Sequence, residues 1–191
     1  FDRFVEYAFA VNGKNRLFRE FKLHTNGVVM SEERSRLLIR LAGTKNQAPS
    51  TFPFVHFSID AWSESVYRKV KGADRRDQVY ANVERFLQLR EELGAREPMV
   101  TLAFVVQKEN AHEAHDFLAH WKEKLRSHGR DVNVNVDWPP MGRDAIYFRP
   151  LNCADQAGAD ALHARVCQEL GIVNEEDAQA RGGRLRAAES F

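Results

Sequence analysis

The residues of this chain best suited to chemistry are a hydroxyl and a carboxylate two positions apart, Ser58 and Asp60, at the end of the apolar run Val55-His-Phe-Ser-Ile-Asp-Ala61. Side chains two apart on a strand share a face. Such a pair can hydrogen-bond a ribose diol or an amino group. It can equally cap a following helix, and spacing alone leaves both readings open. Asn26-Gly27 follows the segment Phe21-Lys-Leu-His-Thr25 and by itself marks a turn with positive φ. Asn110 and Glu113 stand three apart where an apolar run gives way to a helical pattern, so Asn110 as N-cap and Glu113 at N3 would complete a capping box. Lys69, Lys71, Arg75 and Arg76 follow the Ser58–Asp60 pair; a cation there could meet a carboxylate or phosphate, while a solvated face is the commoner fate of such residues. Arg149, inside the apolar stretch Tyr147-Phe-Arg-Pro-Leu151, must find a partner or point into a polar cavity, toward either the site or the outer helices. His112, His115 and His120 do not form an H-E-x-x-H pattern, so they are assigned to a solvated helix face and no metal site is expected.

The elements that must position these groups follow from periodicity. Residues 1–11 have helical spacing, with Asn12-Gly13 as a stop. A short strand is expected to end near Leu23, with Thr25-Asn26-Gly27 as its turn. Ser31 caps a helix carrying Leu37, Leu38 and Leu41 and closed by Gly43. Residues 44–52 read as loop. Phe52 to Ile59 is rich in aromatic and branched residues, as a strand is. Ser63 is placed to cap a short helix through Tyr67. A longer helix from about Asp74 to Leu93 turns Val79, Val83, Phe86, Leu87, Leu89 and Leu93 inward. Val100 to Val106 is apolar throughout, as expected of a parallel strand buried on both faces. A helix over Ala111–Leu125 follows. Val132, Val134 and Val136 then alternate with Asn133, Asn135 and Asp137 as a strand with one wet face. Trp138-Pro-Pro-Met-Gly142 is a turn, Ala145–Leu151 a strand, and Ala154–Leu170 a helix with Ala161, Leu162, Val166 and Leu170 on one side. Strand–helix alternation predicts an α/β fold with a parallel sheet and ligands at the C-terminal strand ends.

Bulk properties narrow the classes. The 191 residues suffice for one domain with a core, at 43% hydrophobic and 29% charged residues. A formal net charge of +1 gives no nucleic-acid footprint. No apolar run reaches the ~20 residues of a membrane span, and Phe1-Asp-Arg-Phe-Val-Glu-Tyr7 is not a signal peptide. Cys153 and Cys167, two widely spaced thiols, suit a reducing compartment and read as inert; a cytoplasmic location is expected.

Three of these segments, in register, resemble the radical S-adenosylmethionine (SAM) enzymes. His24-Thr-Asn-Gly27 resembles that family's third-strand motif. Phe57-Ser-Ile-Asp-Ala61, with Tyr67 and Val70-Lys-Gly72, resembles the fourth strand and its helix. Val100 to Val106, with Asn110 and Glu113, resembles the fifth. The resemblance spans about residues 1–150. It implies a partial (β/α)6 TIM-like barrel of the radical SAM type, parallel strands with outer helices, over residues 1–152. A C-terminal helix over 153–174 and a flexible tail or linker over 175–191 would follow.

By that resemblance SAM lies across the strand ends. Ser58 is near its ribose and methionyl part, Asp60 belongs to the same motif, Lys71 meets its carboxylate, and Asn26 and Asn110 border the pocket. A 4Fe-4S cluster would cleave SAM to a 5′-deoxyadenosyl radical that abstracts a substrate hydrogen. The substrate would be a peptide or protein and the reductant a flavodoxin or ferredoxin; neither nucleic acid nor membrane is implied. The family's C-x-x-x-C-x-x-C loop and Gly-Gly-Glu-Pro motif have no counterpart here. The chain is therefore expected to be a central fragment, inactive alone, with its cluster ligands before Phe1. Cys153 and Cys167 do not match the cysteine-rich SPASM extension that related peptide-modifying enzymes carry. Two other readings stand beside this one. The first is a cluster-less module that binds or scaffolds. The second is an unrelated βα-barrel enzyme acting on a phosphorylated small molecule, although Gly182-Gly183 lies in a polar tail and no glycine-rich phosphate loop is present.

Overall fold

The computed structural model describes residues 1–43, 54–135 and 143–172. The loop expected over residues 44–52, the turn Trp138-Pro-Pro-Met-Gly142, the last residues of the alternating valine strand and the tail from Glu175 lie outside the described residues, as does the Phe52 start of the second strand.

Helix α1 (Asp2–Asn15) runs past Asn12-Gly13 and closes on Arg16, whose φ is 51°. Asn12 does not stop it because its side chain faces inward, 4% exposed, and its Oδ1 accepts from Phe18 N at 2.8 Å, tying down the chain after the helix. Strand β1 is confined to Leu23–Thr25. Helix α2 (Glu32–Ala42) is capped as its sequence dictates, Ser31 Oγ accepting from Arg34 N, with Gly43 at its end. Strand β2 (Phe54–Ser58) leads to α3 (Glu64–Lys71), which Ser63 caps and which extends a full turn beyond Tyr67 to the left-handed Gly72. Helix α4 (Arg76–Glu92) buries Val79, Val83, Phe86, Leu87 and Leu89, but Leu93 lies past its end and is 45% exposed. Strand β3 (Met99–Val106) feeds a 3-10 turn (Ala111–Glu113) and α5 (Ala114–Ser127). Strands β4 (Val132–Asn135) and β5 (Asp144–Pro150) and helix α6 (Gln156–Glu169) follow; α6 buries Val166 and Cys167, while Ala161 points to solvent.

The five strands make one sheet in the order β1-β2-β3-β5-β4, every pairing parallel. Register separates the two faces. Leu23, Val55 and Val100 align, and so do Phe57 and Leu102; this face also carries Phe104 and Phe148 and meets the helices. Phe86 of α4 packs on Phe57 with ring centroids 5.8 Å apart, and Phe117 of α5 packs on Phe104 at 4.9 Å and Phe148 at 6.3 Å. The opposite face carries His24, His56, Thr101 and Ala145 at one level, then Ser58, Ala103 and Tyr147, then Val105 and Arg149. Apolar cover on one face and polar side chains on the other mark a singly wound sheet, compatible with a partial α/β barrel whose interior is the polar face.

A buried ion pair locks the N-terminal end of this sheet. Arg90 and Asp144 are 1% and 0% exposed at the side chain, with Arg90 Nη1 at 2.8 Å and Nη2 at 2.5 Å from the carboxylate. Arg90 also donates to Pro98 O, and Asp144 Oδ1 accepts from Val100 N at 2.7 Å, so α4, β3 and β5 meet at one bidentate junction.

Candidate functional site

Four of the five residues singled out by sequence come together where β2 ends. Ser58 is the last residue of β2, and its Oγ donates to Asp60 Oδ2 at 2.7 Å. Lys71, at the end of α3, donates from Nζ to Ser58 Oγ at 3.0 Å and to Asp60 Oδ2. Asp60 takes a left-handed backbone, φ 63°, a conformation Asp tolerates better than most residues. That kink turns its carboxylate inward, where Oδ1 accepts from Val105 N at 2.7 Å. The Asp60 side chain is 4% exposed and that of Lys71 is 21% exposed, so the ammonium is the solvent-facing member of the pair.

Asn110 and Glu113 do not form a capping box. Asn110 is fully buried; its Nδ2 donates to Asp60 O at 2.7 Å and Val105 O at 2.9 Å, and its Oδ1 accepts from Gln107 N at 2.9 Å. Glu113 reaches across to the loop after β2, its carboxylate accepting from Trp62 N at 2.9 Å and Ser63 N at 3.1 Å. Two groups of α4 complete the support: Tyr80 Oη donates to Ala61 O at 2.8 Å, and Arg76 Nε donates to Trp62 O at 2.8 Å while its guanidinium stacks 3.8 Å over the Tyr80 ring. The backbone of residues 60–63 is thus held by four side chains from outside the loop. Ser58 and Asp60 do not cap α3, which Ser63 does.

Asn26 lies apart, exposed on the loop after β1, its Oδ1 accepting from Val28 N at 3.2 Å. The adjoining Gly27, φ 78°, is required by space as well as by backbone, since a Cβ there would meet Val79 Cγ1 at 3.1 Å. Its carbonyl accepts from Asn82 Nδ2 at 2.9 Å.

Sequence reasoning gave no role to the histidines below this network. His24 and His56 stack with ring centroids 4.6 Å apart, and Tyr147 stands 6.4 Å from His56. With Arg149 they line a cavity of about 260 Å³ on the polar face of the sheet. Burial, seconded by the neighbouring His24 and by the Arg149 and Lys71 charges, pulls His56 down to about 4 against an opposing pull from Asp60. Burial, then Lys22 and Arg149, also lowers His24. Burial and the Asp60 carboxylate raise Tyr67. The Asp60 and Lys71 charges of the network thus reach His56 at the edge of the cavity. Two-residue spacing from Ser58 back to His56 was the signal available. His24 could be placed beside it only through strand register.

A metal or cluster finds no donor set among the described residues. No group of three or more His, Cys, Asp and Glu side chains converges. Cys153 is exposed, and burial pushes the Cys167 thiol up to about 11, away from the thiolate that binds iron. His112, in the 3-10 turn, and His115, on α5, are exposed. None of the described helices is long and apolar enough to cross a membrane. Comparison with protein-family models, curated proteins and solved structures finds no match.

Proposed function

We propose that this chain is the central part of a radical SAM-type barrel and that its strand-end site, Ser58, Asp60 and Lys71, binds the adenosyl cofactor for modification of a peptide or protein. The observation that carries this reading is the convergence of those three side chains, with Asn110 behind them, at the C-terminal end of a parallel strand. In such enzymes the cofactor supplies the radical chemistry, and the protein binds, orients and shields it. The described residues do not fit an iron–sulfur cluster, and the part assigned to them is binding alone.

That part is well defined physically. Lys71 is a partly exposed cation fixed by Ser58 and Asp60, ready to exchange one contact for an incoming carboxylate. Asp60 holds the ammonium at a set position, so little rotamer freedom remains to be lost on binding. Asn26, on the neighbouring loop, has its amide nitrogen free of the Asx contact that its oxygen makes. The loop at residues 60–63 is rigid before any ligand arrives, which is the condition for precise placement of a reacting group.

A second reading has an observation of its own. Both oxygens of Asp60, the amide of Asn110 and the carboxylate of Glu113 are all engaged within the protein. A cluster-less module that keeps the fold for binding or scaffolding would show this closure too. Calorimetric titration with SAM separates the two. The adenosyl reading expects Ser58→Ala and Lys71→Met each to weaken SAM binding about tenfold or more, the scale of a charge-assisted hydrogen bond. Equal affinity in both variants and the unaltered chain removes the site assignment, and no SAM binding at all favours the scaffold.

A further inference from the structure

Among the described residues, Arg149 is a cation on the polar face of the sheet that the adenosyl site does not use. Arg149 sits on β5 at the level of Val105, whose amide holds Asp60, and it lines the cavity with His24, His56 and Tyr147. Among the described residues it makes no hydrogen bond and no ion pair. Its charge nevertheless reaches both histidines, since each is lowered in part by it. The other charges around the cavity are already matched. Lys71 is paired with Asp60, and Lys22 with Glu20 at 3.0 Å. The two imidazoles add no positive charge near neutral pH. A half-buried guanidinium is left over, facing a cavity walled by rings.

We propose that Arg149 is the receptor for a carboxylate on the substrate, and that this cavity admits one carboxylate-bearing group of a peptide. Three features select that chemistry. A guanidinium presents a planar fork that matches a carboxylate in two parallel hydrogen bonds. A phosphate dianion would call for further cations or a cradle of backbone amides, and among the described residues the cavity is lined by neither. The volume, about 260 Å³, lies just below the roughly 300–1,000 Å³ of ligand pockets, so it suits a single side chain or chain end rather than a whole nucleoside. His56 and Tyr147 would flank the bound group with flat, largely apolar faces and polar tips. The choice of a peptide rests on the proposed function; the carboxylate site itself does not, because the two sites use different cations.

The test is a nuclear magnetic resonance titration of the chain with three capped amino acids. N-acetylglutamate α-amide carries a side-chain carboxylate, N-acetylglutamine carries a terminal one, and N-acetylglutamine α-amide carries none. Binding of either acidic probe, with shifts at His56 and Tyr147 and at least about tenfold preference over the neutral one, is expected; which acid wins identifies side chain or chain end as the source. Arg149→Gln is expected to abolish the preference and Arg149→Lys to retain part of it. Thermal melting checks that both variants are folded, and SAM affinity in Arg149→Gln should stay within about twofold of the unaltered chain. Equal binding of the neutral probe, or an unchanged preference in Arg149→Gln, would overturn the proposal. So would SAM displacing the acidic probe in the unaltered chain, because the cofactor would then be the source of the carboxylate.

Discussion

Asp60 combines three demands that one residue type meets: a left-handed backbone, an acceptor for a buried amide, and a partner for an ammonium. Asp60→Ala removes the last two and adds backbone strain, so it is expected to cost on the order of 3 kcal/mol, from about 1–3 for an orphaned buried donor and about 1 for the φ. Asp60→Asn keeps the backbone and should cost clearly less; urea denaturation measures both, and equal losses would mean that the carboxylate is not what holds Val105. His56 gives a pH signature. Its folded-state pKa, about 4, lies below the unfolded 6.5, so the unfolded chain binds a proton first as pH falls. Stability should drop between about pH 6.5 and 4 and level off below, by on the order of 3 kcal/mol in total. The slope should disappear in His56→Phe; its persistence would assign it to other groups. At this scale the Ser58–Asp60 contact was legible, because two-residue spacing fixes a shared face. Asn110 and Glu113 were misread as caps, since the contacts that tie them to the loop after β2, with Asp60, Trp62 and Ser63, span some fifty positions, where local spacing carries no information.

Among the elements, helices and strands were legible wherever period and punctuation agreed. Ser31 and Ser63 cap the helices they precede, and Gly43 and Gly72 end them. Asn12-Gly13 failed as a stop because a buried side-chain contact offsets the helix penalty of Gly, about 1 kcal/mol. Ser63→Ala should cost about 1 kcal/mol in denaturation, the usual value of an N-cap. A much larger loss would assign Ser63 a role beyond capping, its amide being held by Glu113 in any case. The Arg90–Asp144 junction was invisible in sequence, Arg90 reading as one more polar position on an amphipathic helix. Asp144→Ala strands a buried guanidinium and should cost about 3–5 kcal/mol. Replacing Arg90 with Met in the same chain should recover part of that, and a double variant as unstable as the sum of the two single ones would show that the pair is not coupled.

For the molecule as a whole, the parallel sheet with polar and apolar faces follows from the strand–helix alternation. The position of β5 between β3 and β4 does not, because strand order depends on pairings that no local pattern specifies. The division of labour between sheet ends is clear: an ion pair locks the N-terminal edge, and the C-terminal edge and interior carry the network and the cavity. With no converging thiolates among the described residues, anaerobic reconstitution with iron and sulfide should give no absorbance near ~400 nm per chain. A stoichiometric cluster would return Cys153 and Cys167 to consideration as ligands.

The support of residues 60–63 bears on how this site could be moved or redesigned. The short loop after β2 takes its shape from Val105, Asn110 and Glu113 and from Arg76 and Tyr80, which belong to three other stretches of chain. Its conformation is therefore not portable: grafting Ser58 to Ser63 alone onto another scaffold would transfer the letters without the shape. The smallest transferable unit is discontinuous: β2 and its loop, the end of β3, the segment from Asn110 to Glu113, and α4 from Arg76 to Tyr80.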